Sequence, residues 1–168
     1  KIMKKAGIFY GSTTGTTAEV AKKLASLLGI DAVDVHDVAS SSPSELGDYE
    51  TLYLGSSTWG SGEVQDDWYD FLDGASALNL NGHRIALFGC GDETMSDTFC
   101  AALGVMYHRL KPTGAGFIGE YPADCYDFTD SEARLPDGRM AGLALDEVNH
   151  PELTDKRLRE WIASLPSV

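Results

Sequence analysis

Positive charge is scarce in this chain. Its 168 residues hold 13 lysines and arginines against 26 aspartates and glutamates, a net charge of −13. So acidic a surface argues against nucleic acid and anionic membranes as partners, and favours docking to a basic protein surface. Cysteine is scarce too. Cys90, Cys100 and Cys125 are odd in number and lack metal-ligand spacing. They read as reduced, mostly buried thiols of a cytoplasmic protein. No apolar run approaches membrane-spanning length, and no signal-peptide pattern opens the chain. One domain over residues 1–168 fits the length, and it is long enough to bury a core without staples.

The turn Tyr10-Gly11-Ser12-Thr13-Thr14-Gly15-Thr16-Thr17 contains no lysine or arginine. It is therefore not a Walker A loop, and its spacing also fails Gly-x-Gly-x-x-Gly. It does offer five hydroxyls, on Ser12, Thr13, Thr14, Thr16 and Thr17, between an apolar strand-like run and a helix-like run. The first N–H groups of a helix lack internal partners, and the macrodipole adds positive potential there. Gly11 and Gly15 permit close approach of backbone to ligand. Neutral donors of this kind suit one terminal phosphate monoester; the plainer reading is a turn that only caps a helix.

Taken in order, Lys4–Tyr10 reads as a first strand and Gly15–Leu28 as a first helix, with Val20, Leu24, Leu27 and Leu28 on one face and Gly29 as its stop. Ile30–His36 reads as a second strand and Thr51–Ser56 as a third. Glu63–Leu72 should be a second helix. His83–Cys90 is a fourth strand. A helix capped by Ser96 or Asp97 should run to about Leu110, and a fifth strand covers Gly114–Tyr121. Residues 122–141 look irregular, Gly142–Asp146 fits a short further strand, and Thr154 should cap a last helix. Alternation of strands and helices argues a doubly wound α/β fold: a five-stranded parallel sheet in the order 2-1-3-4-5, helices on both faces. A ligand in that topology lies beyond the carboxyl ends of the strands, at the switch point.

Loops after the third and fourth strands share the odd character of the first. Gly55-Ser56-Ser57-Thr58-Trp59-Gly60-Ser61-Gly62-Glu63 sets a tryptophan among glycines just past a strand end, where it can serve as a platform for a planar ring. Gly89-Cys90-Gly91-Asp92-Glu93-Thr94-Met95 again allows close backbone approach. Met95 either fills a gap or covers the second face of a ring with its polarisable sulfur. A phosphate at one end and a flat ring at the other would satisfy all three loops, and flavin mononucleotide (FMN) has that shape.

With these motifs in hand, the chain resembles a flavodoxin of the long-chain kind over essentially its whole length, which implies a fifth strand interrupted by a long insertion. Phe9–Thr17, Ser57–Trp59 with Gly62–Trp68, Phe88–Asp92 and Gly142–Glu147 carry the resemblance. It implies that Ser12, Thr13, Thr14, Gly15, Thr16 and Thr17 hold the phosphate of FMN. It implies that Ser57, Thr58, Trp59, Gly60, Ser61, Gly62, Cys90, Gly91, Asp92 and Thr98 line the isoalloxazine, with Trp59 on its inner face. Asp146 is implied near the ribityl chain. Members of the family usually stack a tyrosine on the outer face; Met95 stands at that position here, in a loop one residue shorter.

The implied function is low-potential one-electron transfer, with FMN shuttling between semiquinone and hydroquinone states and no substrate chemistry of the protein's own. The levers are stacking, hydrogen bonds to the ring and local charge. A flip of the Gly60–Ser61 peptide would stabilise the neutral semiquinone, and glycine makes that flip cheap. Glu63, Asp66, Asp67 and Asp92 should oppose the second reduction. One carboxylate about 8 Å away at an effective dielectric of about 20 costs about 2 kcal/mol, which is about 90 mV for a one-electron couple. The same carboxylates with Asp70, and a rim of Asp124, Asp127 and Asp130, would steer basic-surfaced partners: an NADPH-linked reductase or other donor, and acceptor enzymes, docking transiently to a monomer. The alternative is an FMN-dependent NAD(P)H:quinone oxidoreductase or nitroreductase on the same fold. A receiver domain is set aside, because positions 10–17 hold no carboxylate. The scattered His36, His83, His108 and His150 receive no catalytic role. Met95→Tyr is expected to change flavin affinity and midpoint potential, read by FMN titration and stepwise reduction; two unchanged values would mean that Met95 does not contact the ring.

Overall fold

Apolar side chains run on without alternation through the strand segments, as in Leu52-Tyr53-Leu54 and Ile85-Ala86-Leu87-Phe88, and every one of them is buried. Strands of that kind need cover on both faces, which a parallel sheet flanked by helices provides. The computed structural model describes residues 2–59, 62–95, 97–124 and 126–166. Strands β1 (Lys4–Gly11), β2 (Val35–Asp37), β3 (Tyr49–Trp59), β5 (Arg84–Cys90) and β6 (Gly116–Ile118) lie in the order β2-β1-β3-β5-β6 and pair parallel. Helices α1 (Thr16–Leu28) and α4 (Thr154–Ser164) cover one face, on a core of Ile8, Tyr53, Ala86 and Phe88. Helices α2 (Trp68–Ala75) and α3 (Ala102–Leu110) cover the other, on Phe9, Leu52, Leu54 and Leu87.

The fifth position of the sheet is filled twice. β6 pairs with Arg84–Ala86 of β5, and β7 (Gly142–Leu145) pairs with Leu87–Cys90 of the same strand. They are two halves of one strand line, separated by residues 119–141. The separating segment is closed at its base, where Tyr121 and Met140 exchange N–H···O bonds of 3.1 and 2.8 Å.

Several boundaries depart from the sequence reading. Leu27 is exposed; the buried stripe of α1 is Thr17, Val20, Ala21, Leu24 and Ala25, a tighter match to helical spacing. The second strand is only Val35–Asp37, preceded by a one-turn 3-10 helix at Ala32–Asp34. The third runs on to Trp59 and folds back on β4 (Glu63–Val64), so Glu63 and Val64 are strand and not helix. α2 starts later because Gln65 ends the hairpin: Ser56 Oγ accepts from its N–H at 3.0 Å, and its own Oε1 accepts from the Asp67 N–H at 3.0 Å. α3 begins at Ala102 and not near 97. Cys100, a non-glycine residue with φ of 50°, interrupts a helical path there. Ser96 lies outside the described residues. Thr154 is the first residue of α4 and caps nothing; its hydroxyl is buried without a partner among the described residues.

Gly11 is where β1 meets α2. A Cβ there would lie 2.4 Å from Gln65 Oε1 and 2.6 Å from Trp68 Cδ1. Trp68 cannot retreat easily, since it is fully buried and its Nε1 donates to the Gly55 carbonyl at 2.8 Å. Gly11→Ala is therefore expected to cost about 1–3 kcal/mol of stability by overpacking, read as a shift in denaturant midpoint; a loss below about 0.5 kcal/mol would mean that the indole moves aside freely.

Candidate functional site

Three loops leave the same end of the sheet. In register, Gly11 lies opposite Ser56, and Ser57 opposite Cys90, so the ends of β1, β3 and β5 are neighbours. This is the switch point, where the chain leaves β1 for one side and β3 for the other.

The first loop is built around an uncapped helix. Gly15 is the N-cap of α1 with φ of 92°, and no side-chain cap is made there among the described residues. The hydroxyls of the turn are therefore not spent on capping. Ser12 Oγ accepts from the Gly15 N–H at 3.1 Å, which folds the turn over the helix start. Thr14 and Thr16 hydroxyls lie 3.4 Å apart at the surface. Thr13 Oγ1 accepts from Gln65 Nε2 at 3.0 Å. Thr17 Oγ1 is buried with no hydrogen-bond partner among the described residues; the Cys90 thiol is near enough to feel it but not in hydrogen-bond geometry. An orphaned buried hydroxyl beside free helix amides fits an anion that supplies the missing acceptors.

The second loop presents Trp59. Its ring is 40% exposed, and its Nε1 donates to Ser57 Oγ at 2.7 Å, which fixes the indole and occupies the Ser57 hydroxyl. Thr13, Trp59 and Asp66 line a pocket of about 170 Å³ where the first two loops meet. Thr58 does not face that pocket with a free hydroxyl, because its Oγ1 accepts from the Ala102 N–H at 3.2 Å and so caps α3. Gly62, with φ of 102°, turns the hairpin so closely onto the third loop that a Cβ would lie 3.0 Å from Ala101 Cβ and 3.7 Å from Thr98. Thr98 is thus packing between loops. Gly60 and Ser61 lie outside the described residues, as does the peptide flip expected there.

The third loop holds Met95 half exposed above the turn. Asp92 Oδ1 accepts from the Thr94 N–H (2.9 Å) and from Asn149 Nδ2 (2.7 Å). Hydrogen bonds from the Thr94 side chain first, then from Asn149, hold its carboxyl below the usual range, so the loop keeps a negative charge. Cys90 points into the core beneath α1, and burial pushes its thiol up to about 12. Asp146 is fully buried, accepting from the N–H groups of Glu93, Val148 and Asn149. It positions the third loop from below.

Two residues have roles that the sequence reading left blank. Gln65 ties the first loop to the second, and donates to Asp67 Oδ2 at 2.8 Å as well. Glu93 is buried and accepts from the Asp127 N–H at 3.0 Å. A glutamine just ahead of a helix start was a signal for the first; a carboxyl between Asp92 and Thr94 carried none.

Fold and loop geometry together define a doubly wound α/β protein with three loops converging at the switch point of its sheet. The family model described as Flavodoxin matches residues 8–161. The chain is 43% identical over 160 residues to Flavodoxin 1 of Escherichia coli (strain K12), covering 95% of this chain and 91% of that protein. It is 40% identical over 165 residues to the flavodoxin of Nostoc sp. (strain PCC 7120), covering 98% and 96%. The crystal structure of Fusobacterium nucleatum flavodoxin bound to flavin mononucleotide superposes with a TM-score of 0.87 at 29% identity, covering 96% of each chain. The chain belongs to the flavodoxin family. Thr17→Val should raise the stability of the ligand-free protein by about 1–2 kcal/mol, since it removes an unsatisfied buried hydroxyl. It should also weaken binding of a phosphate monoester by about tenfold or more, since a charge-assisted bond is lost. Calorimetric melting and a binding titration read the two effects; unaltered binding would remove Thr17 from the phosphate site.

Proposed function

We propose that the chain acts as one FMN-binding unit that carries single electrons between redox proteins in the cytoplasm, with no substrate of its own. The observation that carries this reading is the orphaned Thr17 hydroxyl at the start of an uncapped α1, in a turn whose Thr13 shares a pocket with a half-exposed, hydrogen-bonded Trp59. Family membership and FMN-bound structural neighbours support it. FMN, when bound, supplies the one-electron chemistry that the polypeptide lacks. Ser12, Thr14, Thr16 and Thr17 with the α1 amides bind the phosphate. Trp59 orients the ring, and Met95 shields its other face. The backbone of Gly91 and the charge of Asp92 close the third side.

The surroundings set the direction of the chemistry. Glu63, Asp66, Asp67 and Asp70 are exposed on or beside the hairpin and the start of α2. They raise the cost of adding negative charge at the ring, which makes the reduced protein a strong donor. They also steer partners with basic surfaces to the exposed edge, where contact is brief and salt-sensitive. Among the described residues, no helix is long and apolar enough to cross a membrane.

The combined variant Asp66→Asn, Asp67→Asn and Asp70→Asn tests both parts. Purified wild-type protein should take up FMN in a spectral titration and reduce in two separate one-electron steps. The variant should show a less negative second midpoint by tens of millivolts. Its electron exchange with a basic redox protein should be slower and less dependent on salt. Rapid oxidation of NADPH by the holoprotein alone would instead favour the enzymatic alternative, and refusal of FMN would end the reading altogether.

A further inference from the structure

A cluster of buried titratable groups beneath the 91–95 loop is unused by the function above. Glu93 is 6% exposed and Asp146 fully buried, and three segments of chain meet at the Glu93 carboxyl. Its Oε1 accepts from the Asp127 N–H, in the segment between β6 and β7, at 3.0 Å. Its Oε2 lies 3.2 Å from His150 Nε2, in the turn after β7. Its backbone N–H donates to Asp146 Oδ2 at 3.2 Å. One side-chain atom from each of Glu93, Asp146 and His150 falls within 4.8 Å of the others.

The two carboxyls are unequal. Asp146 accepts from the N–H groups of Glu93, Val148 and Asn149 and from Asn149 Nδ2, at 2.9–3.2 Å. Burial opposes its charge, but those bonds, Asn149's first, bring it below the usual range. Glu93 has one amide and an imidazole. Burial, then the neighbouring Asp146, pushes it above the usual range against the pull of the Asp127 amide and His150. A proton on the pair therefore sits on Glu93, whose O–H can donate to the Asp146 carboxylate. The other charged groups do not change this assignment. Asp92 is held ionised through Thr94 and Asn149. Glu152 lies 3.3 Å from His150 Nδ1, on its far side from Glu93. The buried Cys100 thiol is pushed well up by burial. Arg157 of α4 stacks on the Tyr126 ring at 4.3 Å.

We propose that Glu93 is a positioning residue whose proton latches the 91–95 loop against the flavin, so that FMN is held most tightly in acid and more loosely as pH rises. The proposal rests on the reading that this loop flanks the ring. The sign follows from linkage. A carboxyl whose affinity for protons is higher in the closed, folded arrangement contributes its stabilisation while protonated and loses it as pH rises through its folded value. Above that point Glu93 loses its proton to solvent and stands as a second carboxylate beside Asp146. The pull of His150, 3.2 Å from Glu93 Oε2, holds that point down. The latch then loosens, and Asp92 and Met95 move with it.

FMN dissociation constants measured from about pH 5 to about pH 9 test this in wild type, Glu93→Gln and His150→Gln. Wild-type affinity should fall about tenfold more steeply across the range than that of Glu93→Gln, whose amide donates to Asp146 at every pH. Titration of the FMN phosphate is common to all three proteins and cancels in the comparison. His150→Gln should move the fall to higher pH, because the imidazole's pull on the Glu93 carboxyl is lost. The melting temperature of the ligand-free full chain should show the same ordering, which keeps the test independent of FMN uptake. Parallel wild-type and Glu93→Gln profiles in melting and binding would overturn the latch. If Glu93→Gln does not fold, a His150→Gln profile superposed on wild type would overturn it equally. Absence of FMN binding at every pH would sink the flavin reading instead, while the melting profiles still decide the latch.

Discussion

The indole of Trp68 holds the working end of this protein together. It lies fully buried against Gly11, with its N–H on the carbonyl of Gly55, so one side chain spans the ends of β1 and β3. The connections that follow those two paired strands leave toward opposite faces of the sheet, and a doubly wound sheet has its crevice between them. Gln65, just ahead of the indole, completes the tie by bonding Thr13. The phosphate turn and the Trp59 hairpin are thereby fixed relative to one another before any ligand arrives. Preorganisation of that kind spares a ligand the entropy of ordering two loops.

The site then separates its two electrostatic tasks. In the function proposed, a phosphate held by neutral donors keeps its charge, whereas a lysine or arginine would have neutralised it. Surrounding carboxylates add to the same field. Both choices work against placing an electron on the ring, and both are legible as absences of cations in Tyr10–Thr17 and around Glu63–Asp70. Affinity must then come from hydrogen bonds, helix amides and stacking, which is consistent with how little of the loop chemistry is idle. Ser57 is committed to Trp59, Thr58 to α3, Ser12 to Gly15. Thr17 stands apart as a buried hydroxyl at this site with nothing to hold among the described residues.

Strand identity and sheet order were legible because buried parallel strands announce themselves as unbroken apolar runs between glycine-rich turns. The three loops were legible for the same reason: each follows such a run. What was not legible lay in long-range contacts. Glu63 and Val64 have ordinary helical neighbours, and only pairing with Thr58 and Trp59 makes them strand. The late start of α3 depends on a left-handed Cys100, which no local pattern encodes. Asp146 reads as a polar residue beside a site, yet it is a buried anchor that ties the 91–95 loop to the turn after β7. Roles at the surface follow from residue type; roles beneath it follow from who the neighbour is.

The split of the fifth strand has a consequence for how such a chain can change. β6 and β7 are held by separate stretches of β5, and Tyr121 with Met140 clasps the base of what lies between. Length added or removed beyond that clasp leaves both half-strands in register, so the segment is a natural port for grafted sequence. Its ties back to the body limit the freedom: the Asp127 N–H on Glu93, the Ser131 hydroxyl on the Phe99 carbonyl and the Tyr126 hydroxyl on the Ala144 carbonyl. A graft that kept those ties in place would alter the rim of the molecule while leaving the scaffold beneath it untouched.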